Sequence, residues 1–424
     1  MQRLKAILPT ALLALCGGLP ALAGAANLTI SCGAVGAELQ LCKEAVEAWS
    51  QQTGHKVEVV STPNSATERL SFYQQILSAQ SADIDIIQID VVWPGMLANH
   101  LLDLREVLPE NATQGYFQAQ LDNATVDGRL VSMPWFTDSG LLYYRQDLLE
   151  KYAKPVPQTW DELTATARAI QQAERDAGNA NLWGYVFQGR AYEGLTCNAL
   201  EWIGSQPGGS LIDAQGEIRV DSPATRTALS LAKSWVGDIS PRGVLNYTEE
   251  EGRGVFQSGN ALFMRNWPYA WALVQSPDSA IKGKVGIAPL PKGGEAGMHA
   301  STLGGWGLSV SRYSAEPKLA AELVAYLTSA QQQKRRALIG AYNPVIESLY
   351  EDPDLLAAMP HYSQLRSILA DGVMRPAAIT ADRYPRVSNA LFDRVHGVLS
   401  GEASVDQAVT ELGSDLKRIK RRHW

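Results

Sequence analysis

Over the first ninety residues, short apolar runs alternate with apolar residues at helical spacing. A β-type run at 28–31 precedes Leu41, Ala45, Val46 and Trp49, set three and four apart and ending at Gly54. Residues 56–60 are β-branched and predict a strand. Leu70, Tyr73, Ile76 and Leu77 predict a helix over 66–79, and the isoleucine-rich stretch 83–90 predicts a buried strand bounded by acids. Strand, helix, strand, helix, strand at this spacing implies βαβ units and a parallel sheet. Further strands are predicted at 140–145, 182–188, 261–265, 285–290 and 307–311. Helices are predicted at 159–173, capped by Thr159, at 224–236, and at 317–328 with Pro317 at its first position. From 353 to 420 the pattern is helical apart from a break at 374–385. No repeat and no Gly/Ser linker separates the halves.

The length, 424 residues, suits two or three domains, and 46% apolar composition excludes a disordered chain. A net charge of −7 argues against a partner bound through phosphates, so no nucleic acid is expected. At the start, Arg3 and Lys5 precede an apolar stretch and Ala21-Leu22-Ala23, which reads as a cleavable export signal over residues 1–26. Pro9, Gly17, Gly18 and Pro20 interrupt the stretch and disfavour a membrane anchor. Cys16 admits a lipoprotein reading, opposed by the bulk of Leu15 before it. The expected location is the periplasm, where disulfides persist. Of Cys32, Cys42 and Cys197, at least one is unpaired; a Cys32–Cys42 bridge and two buried thiols both remain open. The basic tail at 417–422 reads as a solvated helix end.

Familiar catalytic motifs are missing. Gly283-Lys284 is followed by Val285, which rules out a phosphate-binding loop there, and neither a nucleophile elbow nor a zinc-protease motif occurs. The six histidines share no metal-ligand spacing, so no metal or cofactor is expected. Glycosidase carboxylates carry no short signature, so an enzyme is not excluded by this alone.

The aromatics are lopsided, with 11 Trp and 15 Tyr against 7 Phe. Trp and Tyr suit surfaces that are half apolar and half wet. Asp90 ends the isoleucine-rich strand beside Trp93, where open α/β sheets place ligands, and Glu38 at the start of the first helix faces the same crevice. Residues 134–140, 265–271 and 302–307 gather large aromatics, acids, donors and glycines in what read as turns. Trp267 and Trp306 are therefore read as binding residues, and Trp160 and Trp235, on helical faces, as core. Acids, amide and guanidinium donors and aromatic faces together suit a carbohydrate. Each hydroxyl both donates and accepts, and the C–H face of the ring packs on an indole or phenol.

Five segments carry a family resemblance: 138–152 (Asp-Ser-Gly-Leu-Leu-Tyr-Tyr-Arg-Gln-Asp-Leu-Leu-Glu-Lys-Tyr), 192–195 (Tyr-Glu-Gly-Leu), 265–271 (Arg-Asn-Trp-Pro-Tyr-Ala-Trp), 282–291 (Lys-Gly-Lys-Val-Gly-Ile-Ala-Pro-Leu-Pro) and 302–308 (Thr-Leu-Gly-Gly-Trp-Gly-Leu). In these the chain resembles the extracellular sugar-binding proteins of ABC importers, and most of all their trehalose/maltose-binding group. The resemblance implies an α/β fold of two discontinuous lobes, 27–137 with 288–340 and 138–287 with 341–424. It implies a ligand cleft between them and hinge crossings near 137–140, 284–287 and 340–344. It also implies that Asp90, Asp138 and Glu38 accept hydroxyl bonds, that Trp267, Tyr269 and Trp306 stack on sugar rings beside the Gly305 amide, and that Arg375 donates from the second lobe. Arg69 is a looser match, and Glu193 matches a family position. The implied protein is a monomer that captures a disaccharide, trehalose ahead of maltose, and hands it to a membrane permease. A secreted glycosidase using Asp90 and Asp138 is the alternative, as is a binder of an oligosaccharide or a glycerophosphate conjugate. Nothing here separates trehalose from maltose or sucrose.

Overall fold

The computed structural model describes residues 26–33, 35–359, 362, 372–420 and 424. Residues 1–25 of the expected signal, Cys16 among them, lie outside the described residues. So do 360–361 and 363–371 of the expected helical run, and Arg421 and Arg422 of the basic tail.

The first ninety residues fold as their pattern requires. Strands β1 (Asn27–Ser31), β2 (Lys56–Val60) and β3 (Ile86–Asp90) run parallel, with β1 in the centre. The connecting helices are Glu38–Thr53, ended by a left-handed Gly54, and Ala66–Ser78, where the Ser65 hydroxyl accepts from Glu68 N. A small hairpin, β4 (Thr125–Val126) and β5 (Arg129–Leu130), leads into β6 (Met133–Ser139) and β7 (Leu141–Arg145). Later come β8 (Trp183–Val186), β9 (Ala261–Asn266), β10 (Val285–Ala288), β11 (Ser301–Val310) and β12 (Gly372–Val373).

These strands form two principal sheets. One has the order β12-β11-β3-β1-β2, with β6 also paired to β11; the other has the order β10-β7-β9-β8. Leu28, Ile30, Ile86, Leu308 and Val310 of the first sheet pack on helical Leu41, Val46, Trp49 and Val324. The second core gathers Trp160, Trp202 and Trp235 around Tyr185 and Phe187. Trp160 and Trp235 are core residues, as their helical spacing predicts, with ring centroids 5.4 Å apart. Thr159 and Glu162 form the capping box that starts the helix Trp160–Asp176.

The chain passes from the first sheet to the second at Gly140. A Cβ there would lie 2.2 Å from the Glu201 carboxylate, so the passage needs glycine. The other two passages differ from the expected ones. Residues 284–287 are no crossing, because β10 pairs antiparallel with β7 inside the second sheet. The chain then stays on that side, where Gly293 N and Met298 N donate to Ser205 O, and rejoins the first sheet only at Ser301. Nor does the chain leave at 340–344. Thr137 N donates to Asn343 O, Phe117 N donates to Val345 O, and the helix Pro353–Ala358 packs on Ala330–Gly340. The lobe limits expected at 288 and 341 therefore shift to about residue 300 and beyond residue 359. Hydrogen bonds between distant segments set these limits, and local hydropathy carries no record of them.

Cys32 and Cys42 are joined, tying the end of β1 to the helix that begins at Glu38, and Cys197 is free and buried. The bridge closes a short loop, so reducing it removes a constraint on the unfolded chain worth roughly 2–3 kcal/mol. A Cys32→Ser/Cys42→Ser variant is expected to show a lower urea midpoint; an unchanged midpoint would mean the bridge contributes nothing.

Candidate functional site

Between the two sheets lies a cavity of about 70 Å3, lined by all nine residues singled out from the sequence: Glu38, Arg69, Asp90, Asp138, Trp267, Tyr269, Gly305, Trp306 and Arg375.

The acidic wall is built by the first sheet. Gln88, on β3, accepts from Gly33 N at 2.6 Å and donates to Glu38 at 2.6 Å, which fixes the carboxylate at the head of its helix. Arg336 stands 3.7 Å from the same carboxylate and packs against Trp135 at 3.7 Å and Tyr342 at 4.6 Å. Burial holds that guanidinium's pKa below its ordinary value. Asp138 lies on β6, opposite Gly304 of β11. It is buried, and its Oδ1 has no hydrogen-bond partner among the described residues. Burial first, then the charges of Glu38 and Asp90, push its pKa up to about 8. A buried acceptor with no partner is costly, and a ligand hydroxyl donor would satisfy it.

Arg375 follows β12, which pairs with the start of β11 while Val373 packs against the second core, so it stands where the two sides of the cleft meet. Its guanidinium donates to both oxygens of Asp90, at 2.6 and 3.0 Å, and to Glu193 at 3.0 Å. Glu193 begins the helix Glu193–Ser205 and also accepts from Tyr384 and Ser388 hydroxyls. Burial keeps its pKa raised even with Arg375 beside it. Asp90, Arg375 and Glu193 thus link the two sides of the cleft.

The aromatic wall differs locally from its sequence reading. The turn expected at 302–307 is the first part of β11, with Trp306 opposite Asp90 of β3 and Phe136 of β6. Likewise 134–139 is strand, not turn. Both are strands because β6 and β11 pair with each other, a long-range contact that overrides the glycine content of β11. Gly305, at φ +133°, meets Phe136 O so closely that a Cβ would lie 2.6 Å from it. Arg69 packs over the Trp306 ring at 4.4 Å, with Trp93 edge-on at 5.3 Å. Trp267 follows β9 and leads into the helix Ala270–Val274. Tyr269 donates to Glu250 at 2.7 Å and stacks on Tyr342. Arg265, grouped with the ligand donors at first reading, is consumed elsewhere. It is buried against Glu201 and Gln188, its face 3.8 Å from the Trp267 ring centre.

Several cavity residues escaped the sequence reading. Glu249 sits within an acidic run, 249–251, in which nothing local marks one carboxylate as buried. Tyr342 and Tyr192 also line the wall. Their burial depends on chain segments far apart in sequence.

The profile of the bacterial extracellular solute-binding protein family matches residues 37–334. The chain belongs to that family. A probable ABC transporter-binding protein of Deinococcus radiodurans is 47% identical over 403 residues, covering 95% of this chain and 96% of that one. The structure of maltose-bound T. maritima MalE3 superimposes with a TM-score of 0.88 at 39% identity, over 93% of this chain and 100% of that one. The maltodextrin-binding protein MdxE of Bacillus subtilis is 23% identical over 75% of this chain and 73% of its own length. The fold is therefore the two-lobed α/β fold of periplasmic binding proteins. The family acts outside the cytoplasm, and it binds solutes rather than transforming them, so the glycosidase alternative falls. No helix among the described residues is long and apolar enough to cross a membrane.

Proposed function

We propose that this solute-binding protein captures a disaccharide, maltose or trehalose, in the cleft between its lobes and delivers it to the membrane permease of an ABC importer. The observation that carries this reading is the meeting of Glu38, Asp90 and Asp138 with Trp267, Tyr269 and Trp306 around one cavity. Sugar hydroxyls need charged acceptors, and sugar rings need flat apolar faces. The likeness to a maltose-bound protein at 39% identity supports the same class of ligand. In this reading Glu38, Asp90 and Asp138 accept hydroxyl bonds, Arg69 and Arg375 donate, the Gly305 amide lies beside the stacked rings, and residues 1–26 direct export to the periplasm. Sugar contacts both lobes only when they approach, so binding shifts the population towards the closed state, which presents its surface to the permease.

Hydrogen bonds to charged groups contribute roughly 1.5–3 kcal/mol each and stacked rings about 1 kcal/mol. Set against the cost of association and closure, a Kd of about 1 μM follows. Thermal-shift and calorimetric titration with maltose, trehalose, sucrose, a maltodextrin and a glycerophosphate conjugate tests the reading. Stabilisation by maltose or trehalose without release of glucose is expected. Stabilisation only by the conjugate, or by none of the sugars, would overturn it. Trp267→Ala is expected to weaken the sugar at least tenfold, because the ring's C–H face loses its platform; an unchanged Kd would remove Trp267 from the site.

A further inference from the structure

One buried carboxylate in the cavity wall has no assigned part in binding. Glu249 begins the helix Glu249–Gln257 and is 9% exposed. Its Oε1 accepts from the Trp267 indole Nε1 at 3.3 Å, and its Oε2 accepts from the Tyr192 hydroxyl at 2.7 Å. Its backbone carbonyl accepts from Asn266 Nδ2 at 3.2 Å, and Asn266 Oδ1 accepts from Trp267 N at 2.8 Å. One residue therefore holds the indole by its nitrogen and, through Asn266, by its backbone.

The rest of the indole is constrained by packing. Arg265 covers one face and is itself locked in a fully buried pair with Glu201. A Cβ at Gly304 would stand 3.3 Å from Trp267 Cζ3, so the strand carrying Trp306 approaches the ring edge closely. Together with these contacts, the hydrogen bond at Nε1 fixes the two side-chain torsions that orient the indole. An indole that must be ordered by its ligand loses side-chain entropy on binding, and one already held does not.

We infer that Glu249 is a positioning residue for ligand recognition: it clamps the Trp267 indole in the plane on which the sugar stacks, and so sets affinity through Trp267 without itself bonding the sugar. This rests on the proposed sugar-binding function. Tyr192 completes the clamp, since its hydroxyl holds the second carboxylate oxygen and keeps the first aimed at Nε1.

The test uses the full mature protein, maltose and trehalose as probes, and four variants: Glu249→Ala, Glu249→Gln, Trp267→Phe and the Glu249→Ala/Trp267→Phe double variant. Glu249→Ala is expected to weaken the sugar three- to tenfold. Glu249→Gln keeps a carbonyl acceptor for Nε1 and is expected to stay within twofold of wild type. In the Trp267→Phe background, which has no indole N–H, adding Glu249→Ala is expected to change Kd by less than twofold. A ligand-free readout is the indole N–H signal absent from Trp267→Phe; it is expected to exchange faster with solvent in Glu249→Ala but not in Glu249→Gln. Should Glu249→Ala fail to fold, Tyr192→Phe replaces it, with a smaller loss of affinity expected. Equal losses in Glu249→Ala and Glu249→Gln, or an undiminished loss in the Trp267→Phe background, would overturn the inference while leaving sugar binding intact. A wild-type protein that binds neither sugar overturns both.

Discussion

Asp90→Ala is expected to cost both binding and stability. Asp90 holds the Arg375 guanidinium by two bonds in a site where that side chain is only 3% exposed. Removing the carboxylate leaves a buried cation with Glu193 as its remaining ionic partner. Breaking a buried pair by deleting one partner costs about 3–5 kcal/mol when nothing replaces it. Glu193 offsets part of this, so the fall in unfolding free energy is expected at or below the lower end of that range. Denaturant titration reads it as a lower midpoint at constant m-value. Sugar affinity is expected to fall at least tenfold as an acceptor is lost and the guanidinium reorients. Asp90→Asn keeps oxygen and shape and is expected to recover part of the stability but little of the affinity. A wild-type midpoint for Asp90→Ala would show that the pair contributes no net stability.

Asp138→Asn is expected to do the reverse: stabilise the fold while weakening the sugar. The carboxyl's ordinary pKa of 3.8 is pushed up to about 8, chiefly by burial and then by Glu38 and Asp90. Between those values the folded chain binds more protons than the unfolded one. Stability therefore falls as pH rises through that window, by about 1.4 kcal/mol per unit at full slope, and levels off above it. The asparagine variant lacks this loss, so its Tm advantage over wild type should grow from pH 4 to pH 8. Binding carries the opposite sign, because sugar hydroxyls donating to Oδ1 favour the ionised carboxylate. Wild-type affinity should rise with pH towards 8, and calorimetry at pH 7 in buffers of different ionisation heat should register proton release. Asp138→Asn should lose at least tenfold in affinity and show no such dependence. A wild-type affinity flat from pH 6 to 9 would sink the assignment of Asp138 as a hydroxyl acceptor.

The two predictions differ because the sequence marks both residues as acids near a strand end but not what faces them. Asp90 could be placed from its own strand: the run of isoleucines ends on it, and the carboxyl end of a parallel strand opens on the crevice. That it is already paired could not, because Arg375 lies 285 residues away in the chain. Trp306 faces the cavity, but from a strand and not from a turn. Its glycine-rich surroundings read as a turn, whereas pairing of β11 with β3 and β6 makes them strand. The glycines serve close backbone approach inside the sheet. Arg265 was misjudged for a like reason, since its partner Glu201 lies on a helix 64 residues earlier.

By itself, the sequence determined the parallel βαβ start, the helical cores around Trp160 and Trp235, and the residue types a sugar cleft requires. These follow from hydrophobic period and strand-end position, which are local properties of the chain. Only the tertiary structure decided where the chain changes lobe, that Cys32 and Cys42 are joined, that Arg375 pairs with both Asp90 and Glu193, and that Glu249 reaches Trp267. Each depends on how strands and helices come to lie against one another in space, and the hydropathy pattern along the chain does not specify that packing.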